Sequence, residues 1–127
     1  MANVINWFEI PAANFERACE FYSKVLDGEI HQVEVPMGEK AGMKMGFFPH
    51  SAPESVGGAI VFGEGYEPSG KGAVVYLNGG ADLSVALSRV EQAGGKIMMP
   101  KTSIGENGFM AHFVDSEGNR IALHSMN

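Results

Sequence analysis

The sequence predicts an α+β fold in which the order β-α-β-β-β occurs twice. Three observations carry that prediction. Short apolar runs alternate with Gly- and Pro-rich breaks along the 127 residues. Two amphipathic helices begin at capping residues, Asn14 and Asp82, that lie 68 positions apart. The strand residues that follow them, Ile30 and Ile97, lie 67 apart, so the spacing survives across each helix as an internal duplication requires.

Each element has a local cause. Residues 4–10 are an apolar and aromatic run ended by Pro11, which predicts a strand. Asn14 then caps a helix through Leu26, with Phe15, Ala18, Cys19, Tyr22, Val25 and Leu26 at three- and four-residue spacing, and Gly28 as its stop. Strands are expected near 29–35, 42–48 and 57–63, and the turn-rich stretch 63–70 leads to another at 73–78. Asp82 caps a second helix through Ala93, whose apolar face is Leu83, Ala86, Leu87 and Val90, and Gly94-Gly95 stop it. Strands at 96–102, 108–114 and 120–125 follow, with Asp115-Ser116-Glu117-Gly118-Asn119 as a tight turn. No Pro/Ser-rich linker or charge run separates the halves. Residues 1–127 are therefore expected to form one domain, with half-modules at about 1–66 and 67–127.

Composition narrows the function by exclusion. A single cysteine, Cys19, rules out an internal disulfide framework and any multi-cysteine zinc or iron–sulfur site, and its place on the apolar helix face makes it a small buried hydrophobe. A net charge of −6 argues against nucleic acid or an anionic membrane as partner. With 45% hydrophobic and 19% charged residues the chain is globular, and its 17 glycines predict many turns. The start lacks a basic segment followed by an unbroken apolar one, so the cytoplasm is the expected location. Residues 65–71 nearly spell a phosphate loop. However, Gly72 stands where Ser or Thr would hold the metal and a strand follows, so nucleotide binding is not expected.

Several segments resemble the vicinal oxygen chelate superfamily of glyoxalase I, extradiol dioxygenases and bleomycin-resistance proteins. They are Phe8-Glu9-Ile10-Pro11, Asn14-Phe15-Glu16-Arg17-Ala18, Phe21-Tyr22-Ser23-Lys24-Val25-Leu26, Val90-Glu91-Gln92-Ala93-Gly94-Gly95-Lys96 and Phe113-Val114-Asp115-Ser116-Glu117-Gly118-Asn119-Arg120-Ile121. The resemblance covers nearly the whole chain. It implies two βαβββ modules forming a curved mixed sheet around a concave cavity, in a homodimer.

Metal-using members of that superfamily place His, Gln or Glu on four strands around one divalent ion, which acts as a Lewis acid on vicinal substrate oxygens. Carried onto this sequence, the first position falls on Trp7, and the fourth strand (57–62) offers no ligand. The next position falls on Val74 or Ala73, and the last on Ala122. No metal and no cofactor are therefore expected.

In the cavity that the resemblance implies, strand alternation places Trp7, Glu9, Met45, Phe47, Val74, Tyr76, Met110, Ala122 and His124 on the lining. Within it Glu9, Tyr76 and His124 are the candidates for acid–base chemistry, since a carboxylate beside an indole, a phenol and an imidazole supply the usual proton donors and acceptors. Met43 and Met98 add soft apolar strand residues, and His31, His50 and His112 are the remaining histidines. Arg120 and Lys101 are cations able to pair with an anionic ligand.

The expected function is metal-independent binding of a small, partly apolar molecule, as in bleomycin-sequestering relatives. Two other outcomes stand beside it. One is a lyase, isomerase or dioxygenase with a relocated metal or a metal-free acid–base site. The other is a dimeric interaction module.

Overall fold

The computed structural model describes residues 3–35, 42–49 and 55–127. Strands β1 (Trp7–Pro11), β2 (His31–Val35), β3 (Met43–Phe47) and β4 (Gly57–Phe62) form a mixed sheet in the order β1-β4-β3-β2, with β1 parallel to β4 and the other pairs antiparallel. Strands β5 (Val75–Asn78), β6 (Lys96–Ser103), β7 (Phe109–Val114) and β8 (Arg120–Ser125) repeat that pattern as β5-β8-β7-β6. Helix α1 (Phe15–Leu26) follows β1, while α2 (Ser84–Leu87) and α3 (Val90–Ala93) follow β5. The α+β class and the doubled βαβββ order are those the sequence predicts.

Three boundaries differ from expectation. The first strand begins at Trp7, not at residue 4: its ladder with β4 starts at the Trp7–Gly57 pair, and Val4 and Ile5 are exposed. Helix α1 is capped as expected by Asn14, whose Oδ1 accepts the Arg17 N–H at 3.0 Å. Its left-handed end, however, is Asp27 (φ 51°) and not Gly28. A short polar side chain tolerates that conformation, and the N–H groups of Asp27 and Gly28 both reach the Ser23 carbonyl. The expected second helix is two short ones. Ser88 Oγ donates to the Val85 carbonyl at 2.6 Å and the Arg89 N–H bonds Ala86, three residues back, which tightens the chain between α2 and α3. The N-cap of α2 is Leu83, one residue after the expected Asp82, although the Asp82 carboxylate accepts the Ser84 N–H at 2.9 Å; Gly94 (φ 112°) ends α3.

The apolar face of helix α1 packs against both sheets. On one side Phe15 and Cys19 reach Gly46 of β3, so closely that a Cβ there would lie 2.9 Å from the Cys19 sulfur. On another side Phe21 packs on Phe113 of β7, ring centroids 5.9 Å apart. One core therefore joins Ile10 and Ile60 of the first sheet, α1, Leu83 and Val90, and Leu77, Phe113, Ile121 and Leu123 of the second. Phe8 also faces this core, opposite Gly58, where a side chain would overlap its ring. The sheet faces turned from this core carry no helix among the described residues.

A polar joint locks the halves. Glu117, in the β7–β8 turn, accepts the N–H groups of Ala13 (2.9 Å) and Asn14 (2.7 Å) and pairs with Arg17 at 2.6 Å. Buried Tyr22 donates to Asp115 at 2.6 Å, and Asn119 donates to the Pro11 carbonyl at 2.7 Å. Burial, and then the Asp115 carboxylate, push the Tyr22 phenol well above its ordinary range, so it stays a donor.

Candidate functional site

The two open sheet faces collect the residues that alternation placed on a cavity. On the first sheet Phe8 and Ile10 face the core, so Trp7 and Glu9 face outward. Trp7 packs edge-on to Phe47 at 6.0 Å and donates from its indole N–H to Glu9 at 3.2 Å. Tyr66, from the connection after β4, donates to the other Glu9 oxygen at 3.1 Å. Met45 and Phe47 flank Ala59 and Val61 on the same face, and His31 stacks on Phe47. Glu9 is thus held by two donors on an open surface.

On the second sheet the register sets Tyr76 opposite Ala122 and Ala122 opposite His112, with Asn78, His124 and Met110 as the next row. Ala122 is fully buried because Tyr76 and His112 meet across it: the Tyr76 oxygen lies 2.9 Å from His112 Nε2. Ala122 is thus a floor beneath the pair and lines no open space, a departure from the expected cavity wall. Arg120 Nε donates to His112 Nδ1 at 3.1 Å. That bond leaves the neutral imidazole its proton on Nε2, so His112 donates to the Tyr76 oxygen and the phenol proton points elsewhere, with the Met110 sulfur 3.5 Å away. Burial and then the Arg120 charge hold His112 below the ordinary histidine range, which keeps it neutral.

His124 lies one row away, its Nε2 2.6 Å from the Asn107 carbonyl, which takes the N–H. An open cleft of ≈ 670 Å³ runs along this edge, bordered by Tyr76, Asn78 and His124 and by the terminal residues Met126 and Asn127. Val74 is exposed just ahead of β5. Lys101 is committed elsewhere, pairing with Asp82 at 2.9 Å over the Phe109 ring. Met43 belongs to the first sheet's outer cluster and Met98 is exposed, whereas His50 lies outside the described residues.

Among the described residues, the hydrogen bonds and ring contacts of Trp7, Glu9 and Phe47 stay on the first sheet and the connection after it, and those of Tyr76, Met110 and His124 stay on the second sheet and the turn at 105–107. The predicted cavity does not include His112, and Arg120 enters the sequence reading only as a cation able to pair with an anionic ligand. Their signal was the five-residue turn 115–119: closing it between Val114 and Arg120 sets His112 opposite Ala122.

Residues 4–123 match the model of the Glyoxalase/Bleomycin resistance protein/Dioxygenase superfamily. The chain belongs to that superfamily. Solved members share its fold. Glyoxalase I from Zea mays superposes with a TM-score of 0.68 at 20% identity over 94% of this chain and 45% of that one. A glyoxalase/bleomycin resistance protein from Albidiferax ferrireducens T118 gives 0.68 at 13% identity, over 98% and 100% of the two chains. The trypanothione-dependent glyoxalase I of Leishmania major gives 0.67 at 18% identity, over 98% and 88%. The chain spans less than half the length of the Zea mays enzyme chains it matches, 44% and 45%. A search of curated proteins found no match.

The divalent ion that superfamily enzymes use does not fit these residues. At the mapped positions stand Trp7, the strand Gly57–Phe62, Val74 or Ala73, and Ala122. Among the described residues no three His, Cys, Asp or Glu side chains converge. The nearest imidazole to the last position, His112, gives its Nδ1 to a guanidinium, whose charge repels a dication. No helix among the described residues is long and apolar enough to cross a membrane.

Proposed function

We propose that this superfamily member binds a small, partly apolar molecule without a metal, and that it does so between two copies of the chain. One observation carries the proposal: where the last metal-ligand position falls, the structure has Ala122 roofed by the Tyr76–His112–Arg120 chain, a set of donors suited to an organic ligand's oxygens. Around it lie Met110 and His124, and on the opposite side of the molecule Trp7, Met45 and Phe47 offer an aromatic and thioether surface. The two faces turn away from one shared core. A homodimer that sets the first sheet of one copy against the second sheet of the other closes a cavity from Trp7, Glu9, Met45, Phe47, Val74, Tyr76, Met110 and His124. A cytoplasmic setting belongs to the same proposal, given one buried thiol.

Trp7 is the sole tryptophan, so its fluorescence reports on the first face directly. Titration with 4-nitrobenzyl alcohol, an absorbing neutral probe, is expected to quench it saturably, with or without a chelator. Elemental analysis is expected to find no stoichiometric divalent metal. A tightly held stoichiometric ion, or quenching that never saturates, would overturn the proposal.

A further inference from the structure

Building on that binding role, we infer that the ligand carries a carboxylate and that Arg120 is the group that receives it. Four ion pairs are present among the described residues: Arg17–Glu117, Lys24–Glu20, Lys44–Glu16 and Lys101–Asp82. Arg120 is in none of them, although it is half-buried in a chain of net charge −6. Its Nε is spent on a neutral imidazole, His112 Nδ1 at 3.1 Å, and no described hydrogen bond uses its two terminal nitrogens. A guanidinium held through Nε presents its remaining end as two parallel N–H donors, the geometry that a planar carboxylate accepts with both oxygens. A half-buried cation without a carboxylate keeps the cost of partial desolvation until an anion arrives, which favours an anionic ligand over a neutral one.

The rest of the row extends the pattern. Beyond the imidazole, the Tyr76 hydroxyl receives a hydrogen bond from His112 and gives its own proton only to the Met110 sulfur at 3.5 Å, a weak acceptor that a ligand oxygen displaces. It is 48% exposed on the same open face. Arg120 and Tyr76 therefore stand on either side of one fixed ring, and an organic acid with a second acceptor oxygen about one imidazole's width from its carboxylate meets both. Asn78 and His124 occupy the next row beside the cleft, where they meet the body of such a molecule.

The test compares two probes of one shape, 4-nitrobenzoate and 4-nitrobenzyl alcohol, by quenching of Trp7 and by calorimetry on the full chain. The carboxylate is expected to bind at least about tenfold more tightly, with an advantage that shrinks as salt is raised. In Arg120→Gln the ratio of the two affinities is expected to fall to near one, and in Arg120→Lys to take an intermediate value, since a point charge lacks the two-donor edge. Equal affinities in the unaltered protein, or a preference that Arg120→Gln leaves intact, would sink the assignment while leaving the binding role standing. If neither probe binds, the binding role falls with it. The salt dependence of the unaltered protein decides the matter even where a variant does not fold.

Discussion

The Glu117 carboxylate accepts the N–H groups of Ala13 and Asn14 and the Arg17 guanidinium, while its side chain is only 1% exposed. Burial opposes its ionisation, but the hydrogen bonds from Arg17, Asn14 and Ser116 outweigh that and hold the carboxyl below its usual range. The sign follows from proton uptake. Between the folded value and the unfolded ~4.3 the unfolded chain binds more protons, so this stabilisation is full above about pH 4.5 and is lost as pH falls through the folded value. Glu117→Gln replaces an acceptor with an amide that also donates. It is expected to lower stability by about 1–3 kcal/mol at neutral pH and to flatten the acid limb, read from urea midpoints across pH. His112 shifts with the same sign: its folded value lies below the ordinary ~6.5, so protonation opposes the native row and this contribution too is lost as pH falls, and Arg120→Gln should raise its NMR midpoint. Because burial is the larger cause, that rise is expected to be partial. The Cys19 thiol is pushed up to about 11, chiefly by burial and then by Glu16, and should react with a thiol reagent only on unfolding.

Among the elements, α1 depends most on what its neighbours lack. Gly46 of β3 leaves the space that Cys19, Phe15 and Ile30 fill; a Cβ would lie 2.8 Å from Ile30 and 2.9 Å from Cys19. Gly46→Val should therefore push the helix off its sheet and cost about 1–3 kcal/mol, measured by thermal or urea unfolding. The helix pattern was legible in residues 15–26 because the apolar stripe is strong and Asn14 is a good cap. The break between α2 and α3 was not, because it arises from a hydroxyl and a three-residue backbone bond within an otherwise continuous apolar stripe. The start of β1 was likewise hidden: Val4 and Ile5 have strand-forming side chains, but the ladder begins at the Trp7–Gly57 pair, where β4 begins. The β7–β8 hairpin shows the converse. Its five-residue turn contained the register that brings His112 beside Tyr76, and reading alternation strand by strand missed it.

At the scale of the whole molecule, the shared core decides which surfaces remain for a ligand. Both sheets give their helix-side faces to it, so Trp7 and Tyr76, 42% and 48% exposed, lie on opposite outer faces. Sedimentation of the purified chain is expected to show a dimer at micromolar concentration. Trp7→Asp is expected to shift that equilibrium toward monomer while leaving the monomer folded, because the residue lies outside the shared core and touches only the outer Phe47 and Glu9. A chain that stays monomeric at all concentrations would refute the two-copy cavity.

Composition, caps and alternation were sufficient for the α+β class, the duplicated modules and the core faces. Those properties are local: each depends on side-chain type and on a period of two or 3.6 along the chain. Chain folding supplied the rest. The Arg120–His112–Tyr76 row requires three strands in one register, and the outward turn of both open faces requires α1 to be packed from both sides. Neither is encoded at any single position, because a hydrogen bond between residues 36 apart depends on every strand pairing between them.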